Sequence, residues 1–192
     1  VKSDNKNELN KNKSEGKIDL PESNTNEIYI PEKSDVILSN FSSKQKPLVI
    51  KGKGDVQEAL ACIQMIANGL EIPFRKDTSD KIIRDEIRRG KPISTQLMAG
   101  IFSTMGLYAG SIKVNPSLGT RLPINSLIIW KNKFAVIKES NAAGLLIASP
   151  IEGLIEIDKE DLSTEFDESI EVLFVEKTNI TPSKKFNLDW FL

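Results

Sequence analysis

Cys62 is the single cysteine of this 192-residue sequence, and a cysteine is a candidate catalytic nucleophile. A thiol attacks a peptide bond as the thiolate, so it needs a neighbouring base or cation and a proton donor for the leaving amine. Histidine most often meets both needs, and the sequence contains none. Cys62 falls in the middle of a predicted helix, on or beside its apolar side. The sequence therefore predicts a small buried core residue at this position.

Metal and disulfide chemistry are restricted in the same way. With one cysteine and no histidine, the chain forms no internal disulfide, no cysteine-rich zinc site and no iron–sulfur cluster. Asp158, Glu160 and Asp161 have a faint similarity to a calcium loop, but acidic residues at the start of a helix explain them better. We therefore expect neither a metal nor a cofactor.

Two basic motifs could bind anions. The segment Lys51-Gly52-Lys53-Gly54 precedes a predicted helix, but it lacks the full phosphate-loop pattern, so a plain turn with solvated lysines is favoured. Four basic residues lie at the end of another predicted helix: Arg84, Arg88, Arg89 and Lys91. A solvated helix end, favourable for the helix dipole, is the preferred interpretation, and contact with an acidic partner is the alternative.

Composition narrows the class of protein further. The 26 basic and 27 acidic residues give a net charge of −1, which does not favour nucleic acid as a partner. No run of 18 apolar residues would span a membrane, and the first residues lack the apolar run of a signal peptide. We expect a soluble chain in a reducing, cytoplasmic setting. Because it does not begin with Met, we expect it to be part of a longer protein.

The composition changes near residue 45. Residues 1–26 contain four large aliphatic residues, too few to offset the entropy cost of ordering them. Residues 1–45 are therefore predicted to be a disordered or linker segment, in which Ile28-Tyr29-Ile30 is a candidate edge strand. The folded unit is predicted over residues 46–177, and residues 178–192 are predicted to be a second linker.

The folded unit begins with helical periodicity and ends with strand patterns. The predicted helices and caps are Val56–Gly69 after Asp55, Asp80–Arg89 after Thr78 or Ser79, and Thr95–Gly106 after Ser94. The predicted strands lie in 107–114, 125–131, 133–139, 145–148, 154–157 and 169–176, with a helical turn over 158–163. Asn132 lies between two strands as the turn of a tight hairpin. Helices followed by about five mostly antiparallel strands predict an α+β fold.

This order of elements is that of papain-like cysteine peptidases. Within that group the sequence resembles the bacteriocin-processing, double-glycine-leader peptidase domains of bacterial ABC exporters, over about residues 46 to 192. The residues that carry the resemblance are Glu58–Ile66 in the first helix, Ile128–Ile137 in the hairpin, Ile147–Pro150 in a turn and Glu160–Leu162 in a short helix. Lys185–Phe191 is similar to the junction that leads into the transmembrane domain of hemolysin-type exporters.

The departures from the family pattern are located at its catalytic positions. The family's nucleophile lies four residues before a second, packed cysteine, and Cys62 aligns with that second cysteine, so Glu58 stands at the nucleophile position. Lys133 stands where the family has its histidine base, and Ser149 where it has the orienting aspartate. Gly52 stands where the family has the glutamine of the oxyanion hole. The resemblance therefore implies a degenerate site with no catalytic residue.

Two alternatives to a site without function remain. A Glu58–Lys133 pair would hold each group in its charged form, which opposes proton transfer near neutral pH. An active leader peptidase would require Cys62 to be the nucleophile, and this is the least favoured function. Trp130 lies three residues before Lys133, where hemolysin-type domains place an aromatic residue near the former catalytic centre. Core packing and ligand contact are equally favoured for it, and Trp130, Lys133, Glu58 and Phe134 are the candidate substrate-binding residues.

The resemblance implies a non-catalytic, papain-like domain at the cytoplasmic face of the bacterial inner membrane. By this resemblance it belongs to an ABC exporter of a type I secretion system and binds the unfolded polypeptide that is exported. Its expected partners are that polypeptide and the transmembrane and ATPase domains of the same transporter. A regulatory or scaffold domain that contacts only the ATPase domains is the second alternative.

Overall fold

The computed structural model describes residues 28–29 and 48–182. Most of the predicted linker over residues 1–45 lies outside these ranges, as does Lys185–Phe191, the expected junction with a transmembrane domain. Ile28–Tyr29 forms a short strand, β1, which pairs antiparallel with β2 (Val49–Ile50).

Three helices follow β2: α1 (Asp55–Gly69), α2 (Lys76–Arg88) and α3 (Thr95–Thr104). Ser94 caps α3 as predicted, since its hydroxyl accepts a hydrogen bond from the Leu97 N–H at 3.2 Å. Asp55 is the first residue of α1 and not its cap, so that prediction is wrong.

The second helix also differs from its prediction. It begins at Lys76, four residues before the predicted start, so neither Thr78 nor Ser79 caps it. Ser79 is buried, because it lies on the side of α2 that packs inward together with Ile83. Burial of the inward side of α2 thus extends the helix towards its N-terminus, past the predicted cap residues.

Six strands form the main sheet, and every neighbouring pair is antiparallel. They are β3 (Leu107–Val114), β4 (Leu127–Trp130), β5 (Lys133–Asn141), β6 (Gly144–Ser149), β7 (Gly153–Asp158) and β8 (Ile170–Lys177). The order is β3-β8-β4-β5-β6-β7, so the last strand in sequence lies between β3 and β4. This confirms the predicted α+β class, with six strands in place of about five. A short helix, α4 (Leu162–Glu165), replaces the helical turn expected over 158–163.

The sheet has a hydrophobic core on each face. Helices α1 to α3 cover one face and form the first core with residues such as Leu127 and Val136. Leu162 and Phe166 belong to the second core, with Ile128 and Trp130. Alternate residues of β4 thus point to opposite faces, as strand geometry requires.

A tight hairpin joins β4 to β5. Trp130 pairs with Lys133, and the two turn residues, Lys131 and Asn132, both have positive φ values, of 48° and 60°. Two left-handed residues in succession make the turn type whose twist matches that of the adjoining strands. The hairpin therefore places Lys133 at its tip, opposite the start of α1. No helix within the described ranges combines the length and apolar character needed to cross a membrane.

Candidate functional site

Glu58 and Lys133 meet where the start of α1 faces the hairpin. The Lys133 amine donates hydrogen bonds of 2.9 Å to Oε2 of Glu58 and of 2.9 Å to Oδ1 of Asp55. Oε1 of Glu58 accepts a further hydrogen bond from the Gly54 N–H at 3.2 Å. Sequence reasoning missed Asp55 as a partner of Lys133. Its spacing three residues before Glu58 places both on one helix face and would have been the signal.

This ion cluster of Asp55, Glu58 and Lys133 keeps the lysine charged. Asp55 and then Glu58 raise the pKa of the Lys133 amine above its usual range. A general base must accept a proton near neutral pH, and a lysine held protonated by two carboxylates does not. The position that resembles the catalytic histidine therefore offers a charge and no base.

Cys62 is a buried core residue, as predicted. Its side chain is 0% exposed, and its thiol donates a 3.5 Å hydrogen bond to the Phe134 carbonyl. Burial raises the pKa of the thiol far above its usual range, and the charge of Lys138 offsets this only in part. This environment favours the protonated thiol over the nucleophilic thiolate.

Ser149 and Gly52, at the two other positions that resemble the family's site, are explained by the local structure. The Ser149 hydroxyl accepts hydrogen bonds of 3.2 Å from the N–H groups of Ile151 and Glu152, so it closes the turn between β6 and β7. A Cβ atom at Gly52 would lie 2.4 Å from the Gln57 carbonyl oxygen. No side chain fits at the position that resembles the oxyanion glutamine unless the backbone moves.

An open cavity of about 310 Å³ lies beside the ion cluster, between the start of α1, the end of α2 and the hairpin. A second depression of about 250 Å³ shares Ile93, Lys133 and Phe134 with it and reaches the start of α3. We call the two together the hairpin groove. Its apolar lining is Ala59, Ile87, Pro92, Ile93, Phe134 and Ile129.

Ile87 contributes to the groove although helical spacing places it on the same side of α2 as the buried Ile83. Its side chain is 41% exposed and lines the cavity. It lies in the last turn of α2, where the helix passes the edge of the groove. Glu58, Lys133 and Phe134 also line the groove, so the structure brings these three candidate residues together. Within residues 48–182 no group of three potential ligand side chains is placed to hold a metal ion.

Trp130 is not brought to the groove. It is 4% exposed and belongs to the second core, on the opposite face of the sheet from the helices. Its indole N–H donates a 2.9 Å hydrogen bond to Glu165, and the Lys131 amine lies 4.1 Å from the ring centroid. Strand alternation puts Trp130 on the same face of the sheet as Ile128. The position of Trp130 three residues before Lys133 did not indicate this face. The structure therefore supports core packing for Trp130 and not ligand contact.

Trp130→Phe is expected to destabilise the domain by about 1–2 kcal/mol, because it removes buried ring volume and the hydrogen bond to Glu165. Urea unfolding followed by circular dichroism measures this change. Phe174→Leu, in a partly exposed ring on β8, serves as a milder comparison. A Trp130→Phe variant with unchanged stability would contradict the core assignment.

The contact between Lys133 and Glu58 is expected to contribute little to stability, because the lysine side chain is 45% exposed. A double-mutant cycle with Lys133→Met and Glu58→Gln should give a coupling energy of about 0.5 kcal/mol, reduced by added salt. The raised pKa of Lys133 means that this stabilisation is present at neutral pH and is lost above the ordinary lysine pKa. A coupling of several kcal/mol, insensitive to salt, would contradict this.

In this α+β domain the first helix begins opposite a hairpin, across an open groove. This is the papain-like cysteine peptidase fold. The chain belongs to the Peptidase C39 family, whose sequence profile matches residues 49–180. The predicted resemblance and fold are thereby confirmed.

Two solved structures are similar to this chain. A double glycine motif protease from an AMS/PCAT transporter, in complex with the leader peptide, is 18% identical with a TM-score of 0.55, and the match covers 68% of this chain and 91% of that one. The peptidase domain of Streptococcus ComA, a bifunctional ABC transporter involved in a quorum sensing pathway, is 15% identical with a TM-score of 0.49, covering 67% and 97%. None of the curated proteins compared with this chain matches it.

Proposed function

We propose that this domain binds an unfolded polypeptide in the hairpin groove and does not cleave it. The observation that carries the proposal is the 2.9 Å contact of Lys133 with Glu58, at the two positions that resemble the catalytic dyad of the family. Asp55 and Glu58 hold Lys133 in its charged form, so this lysine does not supply the base that a nucleophile and a proton transfer require.

The remaining chemistry near the groove supports the same proposal. Cys62 is enclosed by the first core, and its thiol faces the Phe134 carbonyl and not solvent. Gly52 provides no side chain for an oxyanion hole. Binding needs none of these groups, because it depends on accessible apolar surface, which Ile87, Ile93 and Phe134 supply.

The cellular context is proposed from the AMS/PCAT protease structure. The AMS/PCAT protease was solved with a leader peptide, and its fold is the one found here. We place this chain in an ABC exporter, at the cytoplasmic face of a bacterial inner membrane, where it would hold the exported polypeptide for type I secretion. The transmembrane and ATPase domains of that transporter are its proposed partners.

A combined binding and cleavage experiment on the 192-residue chain tests the proposal. A fluorescein-labelled peptide that carries a double-glycine leader sequence is titrated with the protein, and fluorescence anisotropy reports binding while mass spectrometry reports cleavage. Saturable binding without cleavage is expected. A thiol alkylator added to the native protein is expected to leave Cys62 unmodified until denaturant is present.

Ile87→Ser and Ile112→Ser provide a matched pair for locating the bound peptide. Ile87 is 41% exposed in the groove, and Ile112 is 40% exposed on the edge strand β3. Ile87→Ser should weaken binding several-fold, whereas Ile112→Ser should not. Cleavage of the peptide with rapid labelling of Cys62 would overturn the non-catalytic assignment, and equal effects of the two variants would overturn the groove as the binding site.

A further inference from the structure

Every charged side chain that lines the hairpin groove has a partner among the residues that the structure describes. The charged lining residues are Asp55, Glu58, Lys91, Lys133 and Glu171. Lys133 donates hydrogen bonds to the two carboxylates of the ion cluster. The Lys91 amine lies 3.3 Å from Oε1 of Glu86. Glu171 accepts a 2.9 Å hydrogen bond from the Thr95 hydroxyl. A peptide that enters the groove therefore meets no unpaired charge.

The amine of Lys133 nevertheless retains one free hydrogen-bond donor. A lysine ammonium has three N–H groups and no acceptor. Two of them donate to Asp55 and Glu58, each at 2.9 Å, and the third has no acceptor within residues 28–29 and 48–182. The Lys133 side chain is 45% exposed and lines both depressions of the groove. The groove thus contains an accessible N–H donor that is held in place by two carboxylates.

The two carboxylates of the ion cluster determine which acceptor suits this donor. Because Asp55 and Glu58 both hold the Lys133 amine, the lysine side chain loses less conformational freedom when a ligand binds it. The cluster of two carboxylates and one ammonium has a net charge of −1. A carboxylate that approached the third N–H would therefore be repelled by two like charges, whereas a neutral carbonyl oxygen would not. The cluster thus favours a peptide carbonyl over an acidic side chain.

Asn132 provides a matching acceptor next to Lys133. It lies in the hairpin turn, is exposed, and lines both depressions of the groove. Its side-chain amide has two N–H donors and a carbonyl oxygen, and none of these has a hydrogen-bond partner in the described part of the chain. A peptide unit carries one C=O acceptor and one N–H donor. The third N–H of Lys133 and the amide oxygen of Asn132 are complementary to these two groups.

From these contacts, and resting on the proposed function, we infer that the groove recognises the main chain of an extended peptide segment through the tip of the hairpin. The third N–H of Lys133 donates to a peptide carbonyl, and the amide oxygen of Asn132 accepts a hydrogen bond from a neighbouring peptide N–H. Apolar side chains of the segment contact Ile87, Ile93 and Phe134. Main-chain hydrogen bonds provide affinity without a particular side-chain sequence, so different apolar segments that lack acidic side chains can occupy the groove.

A scan of backbone esters tests this inference on the 192-residue chain. The probe is a fluorescein-labelled peptide of leucine and glutamine, and each variant of it replaces one peptide bond by an ester. The ester lacks the N–H group and has a weaker carbonyl acceptor, while every side chain stays the same. Esters at one or two neighbouring positions are expected to weaken binding about tenfold in fluorescence anisotropy. Esters at the other positions should change affinity by less than about twofold.

Lys133→Met and Lys131→Met are a matched pair of protein variants. Lys133→Met should weaken binding of the all-amide peptide about tenfold and remove the difference between this peptide and the sensitive esters. Lys131 belongs to the same hairpin turn but does not line the groove, and its replacement removes the same charge. Lys131→Met should keep both the affinity and the ester effect within about twofold. Lys133→Arg retains a charged N–H donor and should recover part of the binding.

A glutamate version of the peptide tests the preference for a neutral acceptor. With glutamate in place of every glutamine, binding at low ionic strength should be at least about fivefold weaker, because of the carboxylates beside Lys133. The affinity of the glutamine peptide should change by less than about twofold in 0.5 M salt, since its contacts are not ion pairs. Tighter binding of the glutamate peptide would overturn the preference for a peptide carbonyl.

The outcomes separate main-chain recognition from the proposed function. An ester scan with no sensitive position, or an ester effect that persists in Lys133→Met, would overturn main-chain recognition and leave the proposed peptide-binding function standing. Failure of every peptide to bind a correctly folded chain would overturn the proposed function, and main-chain recognition with it.

Discussion

Gly52→Ala is expected to lower the free energy of unfolding by about 2–3 kcal/mol, one of the two largest changes that we predict. Its Cβ would lie 2.4 Å from the carbonyl oxygen and 2.5 Å from the carbonyl carbon of Gln57. These are backbone atoms of the first turn of α1 and cannot rotate away. Gly52 does not have a positive φ, so space and not backbone conformation is the obstacle.

Gly100→Ala is the matched control for this measurement. Gly100 lies inside α3, is exposed, and has no atom within 4 Å of an added Cβ. The same substitution there should raise stability by about 0.5–1 kcal/mol, because alanine favours a helix over glycine. Chemical denaturation of both variants, followed by circular dichroism, compares them directly. A Gly52→Ala variant as stable as the original protein would show that the start of α1 is less tightly packed than described.

The close approach at Gly52 also bears on attempts to build the family's catalytic dyad into this chain. Glu58→Cys with Lys133→His would supply a thiol and an imidazole at the two dyad positions. A glutamine at position 52 would still meet the Gln57 backbone, so the oxyanion would lack its side-chain donor. Stability and catalytic rescue thus depend on the same contact.

Lys138→Met is expected to raise the free energy of unfolding by about 1–3 kcal/mol at pH 7. Lys138 lies on β5 where the pairing with β6 is irregular, and it interacts electrostatically with the thiol of Cys62. Burial lowers the pKa of the Lys138 amine to about 8, from an ordinary value of 10.5. Methionine retains the length of the side chain and removes the cost of burying a charge.

The lowered pKa of Lys138 determines how the stability advantage of Lys138→Met changes with pH. Below about pH 8 the amine is protonated in both the folded and the unfolded chain, so the full cost of burial is present. Between pH 8 and 10.5 the unfolded chain binds more protons, so this group's contribution to stability rises with pH. The advantage of Lys138→Met should therefore shrink over that interval.

Unfolding in urea at pH 7 and pH 10 measures this advantage. Lys177→Met, at an exposed position at the end of β8, is the control and should change stability at neither pH. An advantage of Lys138→Met that grew from pH 7 to pH 10 would show that the amine is stabilised, and not destabilised, by its surroundings.

Much of the fold could be predicted from the sequence because it depends on local patterns. Helical spacing of apolar residues located three helices, and Ser94 marked the start of α3. Asn132 between two strand patterns located the hairpin, since a two-residue turn needs residues that tolerate positive φ. The positions of strands could be read from alternation, but their order could not. Pairing of β8 with both β3 and β4 joins segments far apart in sequence.

The candidate site was predictable in part for the same reason. The lack of histidine and the single cysteine are properties of composition, and the two positions that resemble the family's dyad, Glu58 and Lys133, came from resemblance to the family. The hydrogen bond between these two residues could be established only from the tertiary structure. The third member, Asp55, and the exposure of Ile87 follow from how α1 and α2 pack against the hairpin.

Periodicity, composition and motif spacing are local properties, so the α+β fold, the family resemblance and the lack of histidine follow from the sequence alone. The face of the sheet that Trp130 occupies, and the backbone of α1 that fills the space beside Gly52, follow only from the folded chain. They depend on contacts between segments distant along the chain. The same holds for the position of Ile87 beside the groove and of α4 on the opposite face of the sheet.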